Sequence, residues 1–271
     1  MWGVIWYPMR LLEAQGLSGI WLTFILYAAA MIASLPHTAR GLREFASERG
    51  TLIPLALAGG WANTAFVLAI LDGNVMRVLL LFYLAPMWAV PLGWIVVGER
   101  VSRYSLLTLV VALIGAGLLL WEPTQGMPWP SGPADWLALS SGFTFALSNA
   151  LVRKSVNASI GAKAFSVWIG VTVVSGALIA LYAVPVPAAG PGAVVGALAL
   201  GIGGILVMTI LVQYGVTHMP VYRSAIILLF ELVAGAVSQQ LFTDEVMTPI
   251  DWAGGALIVT AAIVSARHER A

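Results

Sequence analysis

The sequence predicts an all-α membrane protein of about ten transmembrane helices, arranged as two inverted five-helix repeats. Three observations carry this reading. Long apolar runs recur from one end of the chain to the other, basic residues gather in alternate loops between them, and the chain matches itself at a shift of 146 residues. The composition agrees, since 60% hydrophobic and 9% charged residues would leave a soluble domain without a polar surface. A run of roughly 20 apolar residues matches the thickness of a bilayer's hydrocarbon core.

Trp2 to about Glu13 opens the chain as a first span. It has only about 15 residues before the Gln15-Gly16 turn, short of the ~20 a span needs, so a few N-terminal residues are expected to be missing from it. It starts directly in apolar sequence with no basic leader, so no cleavable signal peptide is expected. Gly19–Ser34, Leu52–Leu71, Val78–Val97 and Leu106–Trp121 follow as the second to fifth spans. Pro86 and Pro91 remove backbone donors inside the fourth and are expected to bend it. The Pro- and Gly-rich stretch Glu122–Pro133 reads as a connection between halves. The expected units are therefore a first repeat at 1–121, a linker at 122–133 and a second repeat at 134–267. Trp136–Val152, Val167–Val184, Val194–Thr217, Ala225–Phe242 and Trp252–Ser265 supply the sixth to tenth spans.

Charge sets the orientation, because short cytoplasmic loops are rich in Lys and Arg. Eleven of the thirteen basic residues, including Arg40, Arg100, Arg153, Lys163, Arg223 and Arg267, fall in the even-to-odd connections or the C-terminal tail. Only Arg10 and Arg77 remain for the other side, whose loops hold Asp72, Glu122, Asp135 and Asp244. Both termini are thus expected in the cytoplasm, which requires an even number of spans. The expected location is the cytoplasmic (inner) membrane.

Several functions are excluded or disfavoured. There is no cysteine, and His37, His218 and His268 have no metal-ligand spacing, so neither thiol chemistry nor a metal site is expected. No cofactor motif is present, and no G-x-x-x-x-G-K-[ST] occurs, so ATP is not the direct energy source. A net charge of +1 gives no reason to expect nucleic acid.

The shift of 146 pairs Val75 with Val221, Arg77 with Arg223, Glu99 with Glu245 and Asn63 with Thr209. Five spans per half is an odd number, so equivalent loops face opposite sides, which is an inverted repeat. The stretch Leu80–Leu120 (LLFYLAPMWAVPLGWIVVGERVSRYSLLTLVVALIGAGLLL) resembles the first EamA-type repeat of the drug/metabolite transporter superfamily, with its Val97-Gly98-Glu99-Arg100 turn and Gly-rich following span. The second copy, Leu228–Ala262, departs from the pattern: Asp244 replaces the Gly before Glu245, and Leu232 stands where a Pro is usual. The resemblance implies ten spans, two repeats and the export or exchange of small metabolites, including amino acids.

Among candidate site residues Glu231 ranks first. It is near the middle of the ninth span, where an isolated charge costs several kcal/mol. Ser224, Glu231 and Ser238 recur every seven residues beside Ala234 and Gly235, a polar and small stripe that avoids lipid. Glu231 can carry a proton, pair with a substrate amine, or merely bond a backbone carbonyl at a helix break. Asn63, Thr209 and Gln213 can orient a substrate or bond across helices as packing groups. The sixth span's Ser141, Thr144 and Ser148 read as packing residues. Tyr83 and Trp88 flank Pro86 and, with Trp6, can wall a cavity or simply pack the core. Arg10 can hold a substrate carboxylate, snorkel, or pair with Glu13 at i+3, the last two being favoured. Arg77 and Arg223 read as interfacial anchors, and Glu99 as structural.

The expected function is secondary transport of a small organic metabolite, an amino acid or related amine, across the cytoplasmic membrane by alternating access, in the direction of efflux. The partners are the substrate and the bilayer, with the proton as candidate coupling ion, and the two-repeat build is consistent with a functional monomer. An integral-membrane enzyme acting on lipid would need a catalytic cluster at one face, which the loops lack. A non-transporting membrane subunit would not need Glu231, Asn63 and Gln213 at mid-membrane.

Overall fold

The computed structural model describes residues 4–17, 19–37, 44–73, 75–120, 130–242 and 247–267, all helices and connections without a strand among them. Linker residues 122–129, Arg40, Arg43, Asp244, Glu245, His268 and Arg270 lie outside the described residues. The helices are α1 (Trp6–Ala14), α2 (Gly19–Ser34), α3 (Arg49–Asp72), α4 (Val75–Phe82), α5 (Ala85–Leu92), α6 (Arg103–Leu120), α7 (Pro133–Lys154), α8 (Ile160–Leu181), α9 (Pro191–Leu200), α10 (Leu206–His218), α11 (Val221–Leu228), α12 (Phe230–Phe242) and α13 (Pro249–Arg267). Seven described stretches are long and apolar enough to cross a membrane: α3, α4 with α5, α6, α8, α9 with α10, α11 with α12, and α13. α2 is a shorter apolar helix.

Side-chain chemistry fits hydrocarbon surroundings. Ile95, Leu107, Val195, Leu211 and Leu241 stand exposed on outward faces, which water would penalise and lipid does not. Hydroxyls that cannot reach water bond back to their own helix, as Thr64 does to Gly60 O and Ser166 to Ala162 O. Where helices cross, small residues replace large ones. Gly115 and Gly254 face each other between α6 and α13, and a Cβ on either would meet the other's carbonyl oxygen at 2.7 Å. Gly170 on α8 lies so close to the Ala56 carbonyl of α3 that no side chain fits between them.

α8 begins well before the apolar run at Val167 that sequence assigned to it. Lys163, counted on sequence among loop cations, is in its first turn and fully buried, donating to Thr217 Oγ1 at 3.0 Å. Its ammonium found a place only because α10 delivers an acceptor there.

α7 runs through the centre of the assembly against α3, α4, α5 and α10. Its stripe of hydroxyls is used in packing: Ser141 Oγ donates to Ala62 O at 2.5 Å, and Ser140 Oγ accepts from Trp61 Nε1 at 3.1 Å. Ion pairs clamp it to the fourth span at both ends. At its start Asp135 takes the Arg77 guanidinium at 2.9 Å, and at its end Arg153 meets Glu99 at 3.1 Å. α4–α5 and α7 therefore run in the same direction.

The fourth and ninth spans are both interrupted, and at equivalent places. α4 ends at Phe82 and α11 at Leu228, residues 146 apart, and their starts, Val75 and Val221, are 146 apart as well. Pro86 accounts for the first interruption, since it has no N–H to offer the Phe82 carbonyl. The second occurs with no proline: the Leu229 N–H is shared between Ala225 O and Ile226 O, at 3.3 and 3.2 Å.

Candidate functional site

A small cavity opens where the two interrupted spans meet the middle of α7. The fourth span contributes Phe82, Tyr83, Ala85 and Pro86; α7 contributes Phe145, Ala146 and Asn149; the ninth span contributes Ala225, Leu228, Leu229 and Glu231. Close approach of the walls depends on Gly142. A Cβ there would stand 2.6 Å from the Phe82 carbonyl oxygen, so glycine lets α7 lie directly on the break. Three rings meet where the fourth span faces α7, with Phe82 5.1 Å from Tyr83 and 5.4 Å from Phe145, centroid to centroid.

Glu231 is ten residues into α11–α12, about 15 Å along the axis at 1.5 Å per residue, and so at mid-membrane. Its carboxylate makes no hydrogen bond or ion pair with a described residue and lies near enough to Tyr83 to act on it electrostatically. Its helical stripe faces protein, because Ser224 and Ser238 are both buried. Trp6 of α1 closes over that stripe, donating from Nε1 to Ser238 Oγ at 2.9 Å, while Tyr7 stacks on Phe242 at 4.9 Å.

The structure thus joins Glu231 with Tyr83 and sets Trp6 on the same helical face. It separates the rest. Asn63 accepts from Tyr27 Oη at 2.7 Å and donates to Gly59 O at 2.8 Å, tying α2 to α3 away from the cavity. Trp88 points outward and packs its ring edge-on against Phe143, also of α7. Thr209 and Gln213 share one buried face of α10, and Thr209 Oγ1 and Gln213 Oε1 have no partner there, yet neither lines the cavity. Arg10 is exposed on α1, and the i+3 pair with Glu13 is not among the ion pairs of the described residues. The described lining draws on the fourth, sixth and ninth spans.

Asn149 is the residue that sequence reasoning missed. It is 96% buried, lines the cavity and makes no hydrogen bond. The signal was an amide within the apolar run Trp136–Val152, next to the stripe Ser141, Thr144 and Ser148 that reads as packing.

A second polar cluster lies at the far end of α7. Glu99 accepts from Arg153 Nε and, through Oε2, from the Val221 N–H at 2.7 Å, capping the start of α11. Arg153 also donates to Thr217 O at 2.7 Å. One carboxylate after the fourth span thus holds three helices of the second half.

Comparison with known proteins agrees with this architecture. Residues 1–121 match the EamA-like transporter family. An uncharacterized transporter of Archaeoglobus fulgidus is 26% identical over 253 residues, covering 91% of this chain and 86% of that protein. A solved crystal structure superposes with a TM-score of 0.78 over 98% of this chain and 91% of its own, at 15% identity, which shows a common fold. The apolar helices and these likenesses together indicate a multi-pass membrane protein with the fold of the matched structure. The first 121 residues are thus similar to the EamA-like transporters, and nearly the whole chain to one uncharacterized transporter.

Proposed function

We propose that this chain is a secondary transporter that exports a small organic metabolite across the cytoplasmic membrane by alternating access, with Glu231 as the group that pairs with the solute or exchanges a proton for it. One observation carries the proposal: a carboxylate without a described partner at mid-membrane, where two equivalent helix interruptions meet. Interrupted helices at the midplane are where secondary transporters build their sites. A carboxylate with no described partner there has two ways to shed its charge, by taking a proton or by holding a cation. A group that alternates between the two couples movement of one to movement of the other. The ten-span inverted topology, with both termini inside, supplies the rocking that exposes the site to each side in turn.

The test is flux in proteoliposomes with a metabolite panel, with and without a pH gradient. Wild-type protein is expected to carry at least one organic solute, with a rate that responds to the gradient. Glu231→Gln keeps shape and hydrogen bonding but removes the titration, and should insert normally and lose that response. Wild-type rate and pH dependence in Glu231→Gln would make Glu231 structural. Orientation is checked with single cysteines at Ser47 and Ser131 in this cysteine-free chain. An impermeant reagent outside intact cells should label only the second, and equal labelling overturns the topology.

A further inference from the structure

The cavity's chemistry narrows the solute further, on the footing of the transport reading above. The geometry points to a primary or secondary ammonium on an apolar body, carrying no carboxylate, as the solute of this site, with Asn149 selecting for its N–H groups.

The described lining offers lone pairs from three side chains: the Glu231 carboxylate, the Asn149 amide oxygen and the Tyr83 hydroxyl. An ammonium is the complement of such a set, since it has up to three donors and no acceptor. Asn149 is the decisive member. Side-chain amides inside a protein are nearly always bonded, so one that opens onto a cavity without a protein partner has bonding capacity to offer what enters it. Its neighbours on α7 obey the rule, Ser141 and Thr144 each reaching a carbonyl. Asn149 and Ser148 make no hydrogen bond with a described residue, and of the two only Asn149 lines the cavity, as a group awaiting a donor would.

The lining also argues against a zwitterion. No Lys, Arg or His lies among the described lining residues. Four of the described basic groups are bound elsewhere: Arg77 to Asp135, Arg153 to Glu99 and Thr217 O, Lys163 to Thr217, and Arg223 to Ala266 O. Arg10 is exposed on α1 and does not line the cavity. An amino acid would have to bury its own carboxylate beside Glu231 with no cation among the described lining residues to offset it. A quaternary ammonium has no N–H and would leave Asn149 unsatisfied. Phe82, Phe145 and Leu228 then receive the hydrocarbon part, and the ring faces add attraction for the cation.

Four ligands sharing one skeleton separate these possibilities: phenethylamine, its N,N,N-trimethyl derivative, phenylalanine and 2-phenylethanol. Binding is measured by calorimetry on the full chain in lipid nanodiscs, and flux in liposomes with the wider panel. Phenethylamine should bind at least about 30-fold more tightly than phenylalanine or the alcohol, and Glu231→Gln should remove most of that margin. Asn149→Leu should weaken phenethylamine about tenfold and leave the trimethyl derivative unchanged. Asn149→Asp, which keeps the size, should raise the preference for 1,4-butanediamine over butylamine about tenfold, and it serves if the leucine variant does not fold. Phenylalanine binding as well as the amine, a trimethyl derivative weakened equally by Asn149→Leu, or no gain for the diamine overturns the assignment. Flux of a non-amine alone overturns it too while leaving transport standing. No flux of any solute through folded protein overturns the transport reading itself.

Discussion

The interrupted spans α4–α5 and α11–α12 end their first segments at equivalent residues, Phe82 and Leu228, but they reach the interruption by different means and use it differently. The first has Pro86, whose missing N–H makes a break inexpensive. The second has Leu232 at the corresponding position and breaks nonetheless. The interruption therefore does not require proline, which only lowers its cost where it occurs. One residue earlier the halves part in chemistry. Ala85 of the first faces the cavity with a methyl, while Glu231 of the second faces it with a carboxylate. A frame that repeats in shape can hold a site that does not repeat in charge.

The largest expected effect comes from moving that charge. Glu231→Ala should weaken amine binding at least about 30-fold, the lower end of what truncating one member of a buried charge pair costs. Adding Ala85→Glu to it should recover part of the loss, because both positions open on one cavity; a double variant as weak as the single would show the two breaks are not interchangeable. Next in size is Gly142→Val, which drives a side chain into the Phe82 carbonyl and should lower stability by about 1–3 kcal/mol, read as an earlier thermal transition in detergent. Unchanged melting would mean α7 does not rest on the break. Leu232→Pro should be milder, about 1 kcal/mol, since it forfeits one bond, from Leu232 N to Leu229 O at 3.0 Å, in a helix already interrupted. Ala256→Pro in the continuous α13 is the control at about 3 kcal/mol, and equal losses would make α11–α12 a continuous helix in the membrane. Smallest of all, Arg10→Gln should leave amine binding within about twofold, as befits an exposed cation without a partner; a larger drop would bring α1 into the site.

Sequence made the apolar architecture legible because hydrocarbon imposes a length that can be counted. Gly19–Ser34 was bounded to the residue, and the fourth span was expected to bend at Pro86. Glu231 was visible for the same reason, a charge where none is easily tolerated. Less was legible wherever a partner far along the chain decides the outcome. Lys163 looked like a loop cation because nothing local reveals Thr217 waiting 54 residues on. Asn63 and Asn149 are alike as letters, both amides inside apolar runs. The first is satisfied by Tyr27 and Gly59, the second by no side chain at all, and only packing tells them apart.

Glu99 has a consequence for how the molecule is born. A ribosome delivers the chain N-terminus first, so the first five helices are inserted while this carboxylate has neither of its ligands. Arg153 arrives 54 residues later and the Val221 N–H 122 residues later. Until then the end of the fourth span carries a bare charge at the membrane boundary, and the start of the ninth has no cap to receive it. The early half is thus synthesised as an unfinished piece that must wait, loosely held, for the late half to close it. Expressed as two separate polypeptides, the halves should depend on each other for survival in the membrane, the first being degraded when the second is withheld.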